Sequence, residues 1–249
     1  LRAYPIYLPL TVQIPITPCV SQNVTIRVMD QSQKLQSIYR QIYSCTLCHS
    51  NTQGTVKTDP QKVPREFFQQ ILGSEIFMIA QSLAESQVRL SGVPFHNVEG
   101  DISRGGKFME KYFNIVGYTI RPENKQEKLI YSTDIVQCFP GRKISGSGDN
   151  VPLLSEIKNC QPWLDRELAI MNPKVILLFG TPATKLFYQN YLNEPFLRLA
   201  NCYLNPKIFR KAWVFALPHP TSMVKGKSSI YKETFEMIKN VLLGHFNEK

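Results

Sequence analysis

Short apolar segments alternate with amphipathic segments from Glu75 onward. The apolar runs have the length of strands and read IFMIA (76–80), LIYSTDIV (129–136), KVILLFG (174–180) and AWVFALP (212–218). Apolar residues recur at helical spacing in the segments between and after them, at 105–117, 152–171, 181–192 and 228–244. This alternation is typical of a doubly wound α/β fold with a largely parallel sheet.

The first part of the chain has a different pattern of apolar and polar residues. Residues 1–30 alternate apolar and polar side chains and are rich in β-branched residues, which predicts a strand-rich N-terminal extension. Residues 31–44 follow helical spacing and run directly into the motif Cys-Thr-Leu-Cys. A polar loop and a short helix around REFFQQIL (65–72) come next. We therefore predict an extension over 1–30 and one domain over 31–249.

The composition adds a charge bias to this picture. With 249 residues, 43% of them apolar, the chain can bury one full-sized core. Lys and Arg outnumber Asp and Glu by 29 to 19, for a formal charge of +10, which favours a polyanionic partner such as nucleic acid. Net charge alone fits a basic protein without such a partner equally well. No apolar run has the length of a transmembrane helix, so we expect no membrane partner.

The positions of the cysteines indicate the cellular compartment of the protein and a candidate cofactor. Six cysteines in a chain of this length are too few and too scattered for a disulfide scaffold, which favours a reducing, cytoplasmic setting. Cys45 and Cys48 form a C-x-x-C pair, which alone fits half a zinc site, a redox pair or chance. Cys138 and Cys160 follow singly, and one pair plus two distant singles favours an iron–sulfur cluster over a zinc ribbon. We interpret the other two cysteines as buried apolar residues.

The residues with the most chemistry follow the predicted strands. In an open parallel sheet, ligand groups collect outside the carboxyl ends of the strands. The residues at these ends are Gln81 to Glu85, Asp134 to Cys138, Gly180 with Thr181, and His219. We therefore expect an amide, carboxyl groups and an imidazole at one edge of the sheet.

The order of these motifs resembles one known family. The C-x-x-C pair is followed by MIAQSLAES (78–86), GVPF (92–95), STDIVQCFPGR (132–142), a run over 156–187, and LPHPTSM (217–223). Across roughly residues 40–245 this order is similar to that of the iron–sulfur uracil-DNA glycosylases, called family 4 of their superfamily. The resemblance implies DNA as the partner and a three-layer α/β/α fold with a central four-stranded parallel sheet. It also implies a structural [4Fe–4S] cluster on Cys45, Cys48, Cys138 and Cys160.

The resemblance further assigns roles around a flipped nucleotide. His219 would donate a hydrogen bond to the pyrimidine O2 as charge builds there, and Phe95 would stack on the base. Without the motifs, His219 fits a capped surface residue and Phe95 an ordinary core residue. Arg142 and Lys143, in a Gly/Ser loop, would meet phosphate. The loop after His219, otherwise a plain solvated loop, would enter the minor groove with Thr221, Ser222, Met223, Lys225 and Lys227.

The segment after the first strand departs from the family pattern. Ser82 falls where other families keep an Asp or Asn that positions the attacking water, and a serine orients water but is a poor base. Glu85 is the nearest carboxylate that can help, and it fits an exposed charge at a helix start equally well. Gln81 and Ala84 would line the base pocket, and Ala84 replaces a tyrosine that blocks substituents on pyrimidine C5. A polar insertion over 96–108 lines the open C5 side or is a surface loop.

Asp134 is a further departure. The family has an asparagine here, which reads uracil by accepting from N3–H and donating to O4. An ionised carboxylate only accepts, so it suits the exocyclic amine of cytosine. A protonated Asp134 would donate to cytosine N3 and help a poor leaving group depart, although it can also imitate asparagine and bind uracil.

We therefore predict a monomeric, monofunctional DNA glycosylase of the prokaryotic cytoplasm. Its leading substrate is a C5-modified cytosine, such as the hydroxymethylated or glucosylated cytosine of phage DNA, which suggests antiviral defence. Excision of unmodified genomic cytosine would damage the host. One alternative is a uracil-DNA glycosylase of base excision repair with drifted motifs. Another is a catalytically weak iron–sulfur protein that binds DNA, because the acidic residue is missing after the first strand.

Overall fold

A computed structural model describes most of the chain. The described residues are 30–48, 70–82, 95, 102–121, 123–124, 126–144, 149–220 and 227–246. The predicted strand-rich extension lies outside these residues, apart from Asp30, so its strands stay a prediction. So does the boundary at residue 30 between an extension and a domain.

The helices begin and end close to their predicted positions. The α-helices with both ends described are α1 (Gln31–Ser44), α2 (Arg104–Phe113), α3 (Leu154–Met171), α4 (Gly180–Phe187) and α5 (Ser228–Leu242). Shorter helical turns lie at Asn114–Val116, Tyr188–Leu192 and Leu199–Cys202. α1 starts where predicted because Asp30 accepts a hydrogen bond from the backbone N–H of Gln33, whose side chain accepts from the N–H of Asp30 in return.

The predicted parallel strands are all present. The strands are β1 (Ile76–Ser82), β2 (Tyr118–Thr119), β3 (Lys128–Leu129), β4 (Tyr131–Val136), β5 (Val175–Phe179), β6 (Lys207–Phe209) and β7 (Ala212–Leu217). Among the described residues, five of them form one sheet in the order β4-β1-β5-β7-β6, and its first four strands are parallel. β2 and β3 form a separate parallel pair.

The edge strand β6 corrects the prediction of a four-stranded sheet. It pairs antiparallel with β7, with Phe209 opposite Ala212. Arg210, one of the two connecting residues, takes a positive φ of 57°. Tight hairpin turns usually carry Gly or Asn at such positions, and this turn has neither. The pattern of the sequence therefore contained no signal for the extra strand.

Helices cover both faces of the sheet and give the predicted three layers. On one face, Leu35 of α1, Leu164 of α3 and Phe187 of α4 belong to a first core. On the other face, Met109 of α2 and Phe235 of α5 belong to a second core. Because β5 lies between the two cores, all of its residues are buried. No helix in the described ranges is long and apolar enough to cross a membrane.

Candidate active site

The carboxyl ends of the four parallel strands meet at one edge of the sheet and form the candidate site. Asp134 on β4 lies in register with Ala80 on β1. α4 begins at Gly180 directly after β5, and His219 follows β7 by two residues. β4 and β7 are three strand positions apart in the sheet, a separation of about 14 Å. Asp134 and His219 therefore lie on opposite sides of the site, with the ends of β1 and β5 between them.

His219 lies in a loop that is held from two sides. Tyr231 of α5 donates a hydrogen bond to the carbonyl of Pro218. Gly180, whose φ is +79°, approaches so closely that a Cβ added there would lie 3.4 Å from the Cβ of His219. Burial lowers the pKa of the His219 imidazole below its usual 6.5. The ring is therefore neutral near pH 7 and donates through a single N–H.

Asp134 lies on the β4 side of the site and is only 6% exposed. Burial, followed by the negative charge of Glu167, raises the pKa of Asp134 from 3.8 to about 7. Near neutral pH the carboxyl is thus present in both protonation states. The protonated form is a donor and an acceptor, whereas the ionised form only accepts.

Replacing Asp134 with asparagine is expected to stabilise the protein at alkaline pH. Because the pKa of Asp134 is raised on folding, the stability that its neutral form contributes is complete below about pH 4 and is lost as the pH rises through about 7. We expect urea unfolding to give similar free energies for both proteins near pH 4. Near pH 8 the variant should be more stable by roughly 2–4 kcal/mol. Equal stabilities near pH 8 would contradict a raised pKa.

A chain of hydrogen bonds beside Asp134 was not predicted from the sequence. Thr133 Oγ1 donates to Oε2 of Glu167 on α3 at 2.7 Å. Gln137 Nε2 donates to Thr133 Oγ1 at 2.6 Å and to the carbonyl oxygen of Asp134 at 2.9 Å. The available signal was position, because Glu167 lies three residues after the buried Leu164 on the apolar face of α3, where a carboxylate is rare.

Gln81 and Ser82 end β1 between the two sides of the site. Gln81 Nε2 donates to the carbonyl oxygen of Asn150 at 3.4 Å. Ser82 is partly exposed at the last position of the strand. The structure therefore brings these two predicted residues to the same edge as Asp134 and His219. Ala84 and Glu85, which follow them in the sequence, lie outside the described residues.

Phe95 is held next to the start of α2. Its backbone has a positive φ of 68°, which is unusual for a residue with a side chain and is found more often at functional sites. Its carbonyl accepts a hydrogen bond from the backbone N–H of Ser103 at 2.7 Å. Ser103 in turn caps α2. The partly buried Phe95 packs against the second core, so its position depends on that of α2.

Replacing Gly106 with alanine is expected to displace Phe95. An added Cβ would lie 2.3 Å from Cγ2 of Ile102 and 2.9 Å from Cβ of Phe95, too close for both to stay in place. We expect the free energy of unfolding to fall by roughly 1–3 kcal/mol in urea titrations. Gly73→Ala is the matched control, because a Cβ there meets its nearest atom at 3.6 Å. Equal losses in both variants would show that the space around Gly106 is not limiting.

The cysteines predicted to bind a cluster come from three neighbouring elements. Cys45 follows the last residue of α1 as its C-cap. Cys48 Sγ accepts a hydrogen bond from Nδ2 of Asn159 on α3 at 3.3 Å. The next residue of α3 is Cys160, where burial raises the pKa of the thiol to about 11, and the nearby Cys48 and Cys45 thiols raise it too. The end of α1 and the middle of α3 thus bring three of the thiols into the same region of the protein.

Cys138 completes this set from the β4 side. It is buried, and it follows Gln137, whose backbone N–H donates a hydrogen bond to the Cys160 thiol. Four thiols without carboxylate ligands have the donor chemistry of an iron–sulfur site. In the part of the chain that the structure describes, no three His, Cys, Asp or Glu side chains lie close enough to hold a metal ion. The four cysteines therefore have the right chemistry for an iron–sulfur cluster. Their side chains are not arranged as cluster ligands in this structure.

The loop after β4 carries two of the predicted DNA contacts. Arg142 pairs with Asp149 through a single antiparallel bridge. Asn150 Nδ2 donates to the carbonyl oxygen of Arg142 at 3.2 Å, and its backbone N–H donates to the carbonyl oxygen of Gly141 at 2.8 Å. The loop is thereby closed at its base, while the Arg142 and Lys143 side chains are exposed.

The remaining predicted DNA contacts come from the segment before α5. Lys227 lies at the N-cap of α5 and is partly exposed. The others lie outside the described residues, and they are Thr221, Ser222, Met223 and Lys225.

Two comparisons relate this arrangement to known proteins. The family model of the uracil DNA glycosylase superfamily matches residues 69–243, which include all four parallel strand ends. A relative described as the type-4 uracil-DNA glycosylase of Sulfurisphaera tokodaii is 22% identical over 216 residues, covering 84% of this chain and 85% of the relative. The predicted fold and family resemblance are thus confirmed. This chain belongs to the uracil-DNA glycosylase superfamily and is a DNA glycosylase.

Proposed function

We propose that this glycosylase excises a C5-modified cytosine from DNA and leaves an abasic site. Hydroxymethylated or glucosylated cytosine, as in some phage DNA, fits this description. The observation that carries the proposal is the buried carboxyl of Asp134 at the end of β4, with a pKa of about 7. It stands where the family 4 pattern has an asparagine that reads uracil.

The protonated form of Asp134 favours cytosine as the substrate base. The protonated carboxyl donates to cytosine N3 and accepts from its exocyclic amine. The same form can also read uracil, by donating to O4 and accepting from N3–H. The ionised form accepts from the amine of cytosine or from N3–H of uracil, and it repels the neighbouring acceptor, which is N3 of cytosine or O4 of uracil. The preference for cytosine therefore rests on the protonated form, whose donation at N3 helps a poor leaving group depart.

The reaction is hydrolysis of the N-glycosidic bond. The oxygen of water bonds to C1′ of the sugar, the bond from C1′ to the base breaks, and its electron pair leaves with the base. The base then gains one of the protons of water. His219, neutral and fixed, donates to the pyrimidine O2 as charge builds there, and protonated Asp134 donates at N3. Ser82 and Glu85 orient the water.

Other residues shape the pocket. Phe95 stacks on the flipped base, a role that its fixed position beside α2 supports. Gln81 contacts the base edge from the end of β1. The small side chain of Ala84 leaves space for a substituent on C5, because it has only a methyl group where a tyrosine would exclude one.

DNA binds across the same edge of the sheet. The exposed side chains of Arg142 and Lys143 contact phosphates, and the chain as a whole carries a formal charge of +10. The segment after His219 enters the minor groove. The proposed contacts in and beside that segment are Thr221, Ser222, Met223, Lys225 and Lys227.

We propose a [4Fe–4S] cluster as the cofactor. The residues that would hold it are Cys45, Cys48, Cys138 and Cys160. When bound, it would supply a covalent connection between the end of α1, the end of β4 and the middle of α3, and hydrolysis needs no electron transfer from it. The support is that Cys45 and Cys48 act on the Cys160 thiol, which also accepts a hydrogen bond from the backbone N–H of Gln137, the residue before Cys138.

The cellular role follows from the substrate. A modified cytosine that the host genome lacks is a safe target, so we propose antiviral defence by a monomeric enzyme acting in the cytoplasm. Uracil excision in base excision repair is the second candidate function. It is favoured by the similarity to the Sulfurisphaera relative, which is described as a type-4 uracil-DNA glycosylase.

A panel of duplexes separates these two functions. Each duplex holds one uracil, cytosine, 5-hydroxymethylcytosine or glucosylated hydroxymethylcytosine, and alkali cleaves the strand wherever a base has been excised. We expect breaks at one or both modified cytosines and none at unmodified cytosine. Breaks only at uracil would support the repair function and contradict the proposal.

Replacing Asp134 with asparagine is expected to shift base preference toward uracil. Asparagine stays neutral at every pH, and in the family 4 pattern it donates to O4 and accepts from N3–H of uracil. Because one well-placed pair of base contacts is worth about 1–3 kcal/mol, the ratio of kcat/KM for modified cytosine over uracil should fall by roughly 10- to 100-fold. The measurement is single-turnover excision on the duplex panel. An unchanged ratio would show that Asp134 does not read the base.

A further inference from the structure

Glu167 is a buried acidic residue that has no role in the proposed reaction. Its side chain on α3 is 1% exposed. A carboxyl this deeply buried ordinarily has a cationic partner. Within the described residues, the groups that influence it are hydroxyls and a second carboxyl instead. They are Tyr39 on α1, Tyr131, Thr133 and Asp134 on β4, and Tyr191 in the turn after α4.

The order of the hydrogen bonds shows which carboxyl is suited to be ionised. Gln137 Nε2 donates to Thr133 Oγ1 at 2.6 Å, so the proton of the Thr133 hydroxyl is free to point elsewhere. It points to Oε2 of Glu167, 2.7 Å away. Burial raises the pKa of Glu167 to about 7, and the hydrogen bond from Thr133 opposes this shift by stabilising the ionised form. Burial and the charge of Glu167 both favour the protonated form of Asp134.

From this arrangement we propose that Glu167 is a positioning residue whose carboxylate, held ionised by Thr133, keeps the proton on Asp134. The inference rests on the proposed function, because a protonated Asp134 matters only if Asp134 reads a base by donating to it. Glu167 would then act through Asp134 without touching the substrate.

The location of Glu167 suits this role. Thr133 and Asp134 are neighbours on β4, so their side chains lie on opposite faces of the sheet. Glu167 contacts Thr133 from α3, on the face of the sheet opposite to the Asp134 side chain. Both carboxyls are buried, so their charges are poorly screened from each other.

The test is Glu167→Gln, which retains the size and the acceptor oxygen of the side chain and removes its charge. We expect the pH midpoint of Asp134 ionisation to fall by about 1 unit. The infrared C=O band of the protonated carboxyl reports this midpoint, and Asp134→Asn identifies the band by its loss. The alkaline limb of kcat/KM for modified cytosine should shift to lower pH by a similar amount. An unshifted band, or a band that belongs to Glu167, overturns the inference.

Two further variants serve as a control and as a substitute for Glu167→Gln. Glu233→Gln removes one negative charge from the exposed face of α5 and should leave the band midpoint unchanged. Thr133→Val removes the donor to Glu167 and replaces Glu167→Gln if that protein does not fold. It should shift the midpoint in the same direction by a smaller amount. A folded Thr133→Val protein with the parental midpoint also overturns the inference.

The infrared titration needs no substrate, so it separates this inference from the proposed function. A shifted midpoint in a protein that excises no base of the panel would support the link between Glu167 and Asp134 and contradict the proposed function. Excision of modified cytosine with an unshifted midpoint would support the proposed function and contradict the link between Glu167 and Asp134.

Discussion

Replacing His219 with alanine is expected to lower the rate of base excision by about 10²- to 10³-fold, since a preorganised donor to developing negative charge is worth this much. The imidazole is partly buried and neutral, and its loop is fixed by the hydrogen bond from Tyr231 to Pro218. The donor therefore needs no reorganisation when charge appears on the base. DNA affinity should change little, because the contact strengthens only in the transition state.

His245→Ala is the matched control for this prediction. His245 is exposed just after α5, so its loss should leave the single-turnover excision rate unchanged. The measurement is the first-order rate of strand-break formation with enzyme in excess over duplex. Equal rates for His219→Ala and the parent protein would show that another group stabilises the leaving base.

Replacing Cys160 with serine is expected to abolish cluster binding. Iron content should fall from about four atoms per chain to below about one, and the visible absorbance of the cluster should be lost with it. The thiol is buried between α3 and β4, so loss of the cluster should also reduce the thermal stability and the yield of folded protein.

Cys202→Ser is the matched control for the cluster. Cys202 is also buried, but it contacts Arg198 and Tyr188, and none of the four proposed ligands is among the groups that influence its thiol. We expect this variant to retain its iron. Equal iron content in the two variants would contradict the proposed ligand set, as would a colourless parent protein loaded with zinc.

The parallel strands were predictable because burial on both faces leaves a strong pattern. Val175–Phe179 is apolar at every position, and such a run has no other stable place than the middle of a covered sheet. The antiparallel strand Lys207–Phe209 was not predictable in this way. It is short, partly exposed and reached through a turn at Arg210 that carries no glycine.

The location of the candidate site at the strand ends was predictable from the sequence. The protonation behaviour of its residues was not. The sequence places Asp134 near the end of a predicted strand and His219 just after another, and the structure brings those ends to one edge. The raised pKa of Asp134 depends on burial and on Glu167, a helix residue far away in the sequence. Such a pairing comes from tertiary packing between α3 and β4, which no local pattern encodes.

The central claim is that this glycosylase releases a modified cytosine in preference to uracil. The most direct measurement is mass spectrometry of the free bases released from an equal mixture of two duplexes, one holding a single uracil and the other a single 5-hydroxymethylcytosine, either bare or glucosylated. The proposed function predicts that the modified cytosine is the main base released. Free uracil as the main product would contradict it.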